Sequence, residues 1–227
     1  MSVDVSLPSG RVGPSGRDRL TWRAIVPMKD LPTSKSRLRL PEELRRNIAL
    51  GMLMDTMSVL LKVPSVGEVV LLTGDLDLAR EADRLGIRSL ADRGDGDLNL
   101  ALREAMREAE PVMPTVVVPA DLPCLRANYV ETFLKVASRG RGCFAADADG
   151  SGTTLAAFPD PMVASPAYGR GSAHFHALAG MRSVEVPVWL RRDVDTVEHL
   201  SVAEALGLGI NTRSAARQRT TARTLLI

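Results

Sequence analysis

The sequence predicts an α/β fold, a mostly parallel twisted sheet with helices on both faces in a Rossmann-like layout. Short β-branched runs alternate with longer segments of helical period, the pattern that parallel strands and crossover helices produce. The run 115–119 is apolar almost throughout, as expected of a strand covered on both sides. A chain of 227 residues, 45% hydrophobic and 25% charged, suits one domain around a single core.

Residues 1–20 are rich in Ser, Gly, Pro, Asp and Arg. They hold too few apolar groups to repay the entropy of ordering and are expected as a disordered tail before a domain spanning 21–210. Strands are expected over 22–27, 68–72, 115–119, 142–146, 153–158 and 184–188, in a sheet of about seven. Pro41 opens the first helix, where its missing N–H costs nothing, and Leu44, Ile48, Met52, Leu53, Met57, Leu60 and Leu61 then recur on one face. Shorter helices fit 76–85, 98–109, 128–137 and 197–206, with no fixed-period repeat. The segment 211–227 carries Arg213, Arg217, Arg219 and Arg223 and no acid, which reads as a basic C-terminal tail: a solvated stretch, a frayed helix or an RNA-binding arm.

Lys and Arg exceed Asp and Glu by 29 − 27 = 2, so no field argues for nucleic-acid or membrane partners. Cys124 and Cys143 are too few for a disulfide framework and form no CxxC, which points to a reducing cytoplasm. There is no signal-like N-terminus and no apolar run near the roughly 18 residues of a membrane span. Oligomeric state is left open, a homodimer being compatible with the chain.

Parallel sheets bind ligands outside the carboxyl ends of their strands, so the loops there carry the chemistry. After the first strand, Lys29, Lys35 and Arg37 stand in one loop: a triphosphate site or a solvated basic loop, but no P-loop, since the Walker glycines are missing. After the 115–119 run comes Asp121, either a helix cap or a metal ligand. Asp193 and Asp195 would share a side of an extended segment, and with Asp121 could hold one or two magnesium ions; Asp195 could instead cap the helix from Val197. In the segment 168–174, Gly169 and Ser172 precede a helix whose N-terminus suits an anion. The 147–154 stretch is a hairpin turn or a ligand contact, and 91–99 a plain Gly/Asp loop or a surface for base and ribose. His174, His176 and His199 form no zinc or nucleophile pattern and read as structural or peripheral, and Cys124 is assigned no role.

Taken in order, the 35–38 loop, Asp121-Leu122-Pro123, Gly152-Thr153-Thr154, Gly169-Arg170-Gly171-Ser172 and Asp193-Val194-Asp195 resemble the 2-phospholactate/phosphoenolpyruvate guanylyltransferases over about 22–206. That family is similar in fold to the glycosyltransferase-A-like nucleotidyltransferases, molybdopterin guanylyltransferases among them, and supplies a GMP-bearing precursor of coenzyme F-420. The resemblance implies transfer of GMP from GTP to a small phosphorylated carboxylic acid with Mg2+ as cofactor. It implies that Thr154, Gly169 and Ser172 hold the acid and that Asp121, Asp193 and Asp195 bind the metal. Lys29, Lys35, Arg37 and Asp121 are then the catalytic set. Guanine would be read near Thr73 and Gly74 and in the loop of Gly94, Gly96 and Asn99, with cytidylyl or uridylyl transfer still open. Members that use 2-phospholactate often carry Asn in place of Thr154, so the resemblance favours phosphoenolpyruvate; 2-phospholactate or 3-phosphoglycerate would make the same loop contacts. A nicotinamide oxidoreductase needs a GxGxxG turn that Lys29 to Arg37 lacks. A non-catalytic nucleotide-binding protein would keep the loops without metal dependence.

Overall fold

The computed structural model describes residues 21–29, 35–140 and 142–224, which build one seven-stranded sheet. The tail expected over 1–20 and the 30–34 part of the basic loop lie outside them. The strands are β1 (Trp22–Pro27), β2 (Val66–Thr73), β3 (Arg88–Ala91), β4 (Thr115–Val117), β5 (Cys143–Ala146), β6 (Thr153–Phe158) and β7 (Arg182–Ser183). They lie in the order β3-β2-β1-β4-β6-β5-β7. β1 pairs in parallel with β2 and β4, Ile25 standing opposite Val70 and Val117, while β6 runs antiparallel to β4 and β5. The helices are α1 (Glu42–Leu60), α2 (Leu76–Arg84), α3 (Leu98–Glu108), α4 (Ala127–Ala137), α5 (Ser172–Leu178), α6 (Val197–Leu206) and α7 (Ile210–Thr224).

The strand period of two splits the core into layers. Ala24, Val26, Leu71, Val116, Leu155 and Ala157 face one side, under Leu53 and Met57 of α1, Ala82 of α2 and Phe133 of α4. Ile25, Leu72, Val117, Ala156 and Phe158 face the other, under Leu102 and Met106 of α3 and Ala173 of α5. Each large apolar side chain so buried contributes about 1.5–3 kcal/mol. Short polar caps set where the helices start: Asp75 accepts from Asp77 and Leu78, Asp97 from Asn99 and Leu100, and Thr196 from His199. Thr196 thus takes the capping role left open for Asp195. Asp121 caps no helix either, because α4 follows Arg126 without a side-chain cap.

Three elements depart from the expectation. In place of a strand over 184–188 stand the two-residue β7 and a 3-10 turn at Val188–Leu190. Val184 N–H still donates to the Phe144 carbonyl at 2.9 Å, but Pro187 has no N–H with which to extend a ladder. The alternation there reflects Val184 and Val186 packing half-buried on the core. β3 is a strand that the sequence does not announce, since Arg-Ser-Leu-Ala has no β-branched residue. Over 210–224 the segment is a helix and not a solvated stretch: α7 lies along α1 with Thr212, Ala215 and Ala216 buried. Asp55 of α1 accepts from the Asn211 N–H (3.0 Å), the Thr212 N–H (2.9 Å) and the Thr212 hydroxyl (2.7 Å). A neighbouring helix thereby satisfies donors that the first turn of α7 leaves open. Leu61, placed on the sheet-facing side in sequence, is exposed.

Candidate active site

Strand order reverses between β1 and β4, so the loops leaving their carboxyl ends part and leave a crevice. Lys35, after β1, donates through Nζ to Asp121 Oδ2 at 2.5 Å and to Asp195 Oδ1 at 2.6 Å. The exposed Arg37 guanidinium is 3.9 Å from the other Asp195 oxygen. A Val194 N–H bond to the Asp121 carbonyl (3.1 Å) stitches the two acidic loops together. Val194 itself is buried, leaving Asp193 and Asp195 on the cleft side.

Electrostatics here is unbalanced. Burial works against the Lys35 charge, but Asp121 and Asp195 outweigh it and hold the ammonium above its ordinary value. Burial would likewise raise Asp195, yet Lys35, Arg37 and His199 keep it below the usual carboxylate range. Asp193 has no such relief: burial, then Asp121, Asp195 and Asp147, push it up to about 7 against the pull of Lys35. Asp121 Oδ1 is buried without a protein partner. An orphaned carboxylate oxygen beside a carboxylate with a disfavoured charge is a donor set that suits a hard divalent cation. Among the described residues no three His, Cys, Asp or Glu side chains are arranged as they stand to hold a metal ion, and Lys35 stands between Asp121 and Asp195.

Two chambers meet at this point. A cleft of about 330 Å³ is bordered by Met28, Lys29, Lys35 and Asp92. A larger one, about 680 Å³, is bordered by Thr154, Gly169, Arg170, Ser172 and Asp193. Leu98, Pro119, Asp121, Tyr168 and Asp195 belong to both. Thr154, Gly169 and Ser172 therefore share one chamber, Thr154 and Ser172 buried and Gly169 at φ +133°, a conformation that favours glycine. Lys29 reaches the Gly96 carbonyl at 3.4 Å, drawing the 91–99 loop toward the smaller cleft.

The other expected nucleotide contacts are placed differently. The Thr73 hydroxyl accepts from the Asp75 N–H, and neither Thr73 nor Gly74 lines a chamber. Gly94 is packed so closely that a Cβ would strike the Asp97 carbonyl and Ala101, so it shapes the loop. The Asn99 amide turns to the Tyr168 backbone. Tyr168 and Asp147 open the 168–174 and 147–154 segments marked out in sequence, but a lone aromatic and a turn aspartate carry no signal for a role of their own. His176 is structural: Nε2 accepts from the Ala167 N–H, so Nδ1 carries the proton and donates to Thr153 Oγ1. Cys124 is buried, its thiol pushed up to about 11 by burial.

A sheet of this order, with cations after β1 and carboxylates after β4 and before α6 around one cleft, defines a nucleotidyltransferase. Solved structures share the fold. A Desulfovibrio desulfuricans G20 protein assigned as a nucleotide-diphospho-sugar transferase matches at TM-score 0.69 and 16% identity, over 88% of this chain and 95% of its own. The 4-diphosphocytidyl-2C-methyl-D-erythritol synthase of Anaerococcus prevotii DSM 20548 matches at TM-score 0.57 and 13% identity, over 83% and 96%. Within that class the chain belongs to the guanylyl transferase CofC-like family, matched over residues 22–202. Its relatives include the phosphoenolpyruvate guanylyltransferases of Geodermatophilus obscurus, 40% identical over 84% of this chain and 92% of that one, and of Thermomonospora curvata, 38% identical over 87% and 89%. No described helix is long and apolar enough to cross a membrane.

Proposed function

We propose that the protein transfers GMP from GTP to phosphoenolpyruvate, giving enolpyruvyl-diphospho-guanosine and pyrophosphate. The observation that carries this reading is the wall of Asp121, Tyr168 and Asp195 common to both chambers, where two anions can be brought into contact. The names and near full-length match of the relatives support the choice of substrates. A phosphate oxygen of the acid attacks the α-phosphorus; as that P–O bond forms, the bond to the bridging oxygen breaks and pyrophosphate leaves with the electron pair. A phosphate dianion is already nucleophilic at neutral pH, so no histidine base is required. Lys29, Lys35 and Arg37 offset the triphosphate charge, and the Thr154 and Ser172 hydroxyls orient the acid. Asp121, Asp193 and Asp195 would hold Mg2+, which supplies charge cancellation between the two substrates. The product would serve as an activated three-carbon precursor of coenzyme F-420, made in the cytoplasm.

Pyrophosphate release, with the product identified by mass spectrometry, tests the reading. GTP and magnesium are offered with phosphoenolpyruvate, 2-phospholactate or 3-phosphoglycerate in turn, and the other nucleotides serve as controls. Release that needs both GTP and phosphoenolpyruvate is expected. Release with another acid would reassign the acceptor, and GTP binding without release would leave a nucleotide-binding protein.

A further inference from the structure

We infer that Asn99 is a positioning residue for the acceptor, its amide clipping the loop of the larger chamber onto the first turn of α3. Asn99 Nδ2 donates to the Tyr168 carbonyl at 2.9 Å, and Oδ1 accepts the Tyr168 N–H at 2.7 Å. Both bonds go to one residue's backbone, and turning the amide over would set donor against donor, so the orientation is fixed. The Asp97 cap holds the turn that carries Asn99. The Tyr168 hydroxyl donates to the Val117 carbonyl at 3.2 Å and pins the same residue from its far end.

The loop after Tyr168 needs such an anchor. Gly169 and Gly171 have φ of +133° and +75°, so the backbone leading to Ser172 belongs to no ladder and is shaped by a few point contacts. Tyr168 also borders both chambers, and a shift of its backbone would move the wall along which the acid lies. Only an amide offers the donor and the acceptor this contact uses. Aspartate would set an oxygen against the Tyr168 carbonyl, and alanine would offer neither bond. Asn99 thereby ties the acid's loop to the helix after the Gly96 turn touched by Lys29. The inference rests on the acid occupying the larger chamber, as proposed above.

The test is steady-state kinetics of Asn99→Ala and Asn99→Asp, with GTP and phosphoenolpyruvate varied separately and amide hydrogen exchange followed over 168–172. A rise of about tenfold in KM for phosphoenolpyruvate is expected, with a smaller fall in kcat, KM for GTP within about twofold and faster exchange in the loop. A rise confined to KM for GTP would make Asn99 a nucleotide contact and overturn the inference, as would unchanged kinetics. Should both variants fail to fold, Gly169→Ala disturbs the same loop at the position next to the clipped Tyr168 and must give the same split between the two KM values; an even loss for both substrates would overturn the inference. Wild-type protein that turns over normally beside an unchanged Asn99→Ala sinks the clip alone. Wild-type protein without turnover sinks the activity and the clip together.

Discussion

Lys35 holds a charge that Asp121 and Asp195, from loops far apart in sequence, share at 2.5 and 2.6 Å. Nucleotide phosphates would compete for that ammonium, so Lys35→Ala should act mainly on GTP. Losing charge-assisted hydrogen bonds of about 1.5–3 kcal/mol corresponds to a KM for GTP higher by roughly 10- to 100-fold, with KM for the acid changed far less. An equal rise for both substrates would place Lys35 elsewhere in the reaction. Asp121→Asn keeps the shape and an acceptor for Lys35 while removing one charge. It should lower kcat by roughly 10²–10³-fold with the thermal midpoint little changed, and near-normal turnover would remove Asp121 from any metal site. Asp121 is legible in sequence because a charge just after an apolar strand falls at the carboxyl edge of the sheet, although a helix cap would have the same spelling. Asn99 and Gly94 are harder to read for a related reason. A Gly/Asp loop has the same composition whether it meets a ligand or packs on its own helix, and only the Tyr168 and Ala101 contacts distinguish the two.

Among the elements, α7 shows how a tertiary contact overrides composition. Its arginines read as a solvated stretch or a frayed helix, yet Gly51 and Asp55, one turn apart on α1, make its seat. A Cβ on Gly51 would approach the Thr212 nitrogen to 2.9 Å, and a Cβ on Gly209 would meet the Asp55 carboxylate. Asp55→Ala would leave the Asn211 and Thr212 donors unpaired at the helix start and should cost on the order of 3 kcal/mol, read as a lower urea midpoint and faster amide exchange along α7. Unchanged exchange in α7 would mean that the helix docks through its apolar residues alone. The other strands and helices were readable because each has a local cause: short β-branched runs for β1 and β6, helical period behind an Asp cap for α2 and α3. β3 has none, and at 184–188 the valine alternation points to a strand that does not form. One is an edge strand of non-β-formers, and the other packs valines against the core without a ladder.

For the molecule as a whole, acid stability depends on buried groups whose effects have opposite signs. His176 is fully buried between Phe144, Phe158 and Tyr168, and burial lowers its pKa from 6.5 to about 4 although the ring also donates to the Ser172 backbone carbonyl. The unfolded chain then binds a proton that the folded one refuses. Stability contributed by the neutral ring is present above pH 6.5 and lost as pH falls through about 4, an effect of about 3 kcal/mol. Asp193, pushed up to about 7, runs the other way: the folded chain keeps a proton the unfolded one releases, so stability falls as pH rises from 3.8 through 7. The two windows overlap, and a wild-type curve alone would hide both. The difference between wild type and His176→Gln separates them, because Asp193 is common to both proteins. Measured by urea unfolding in the presence of a chelator, wild type should be the more stable at pH 7, where the ring packs and pairs with Thr153 and Ala167. That advantage should shrink by about 3 kcal/mol on going to pH 4. A gap that stays constant with pH would mean that His176 is free to take up a proton in the folded state, and that the contact joining β6 to α5 tolerates a charge.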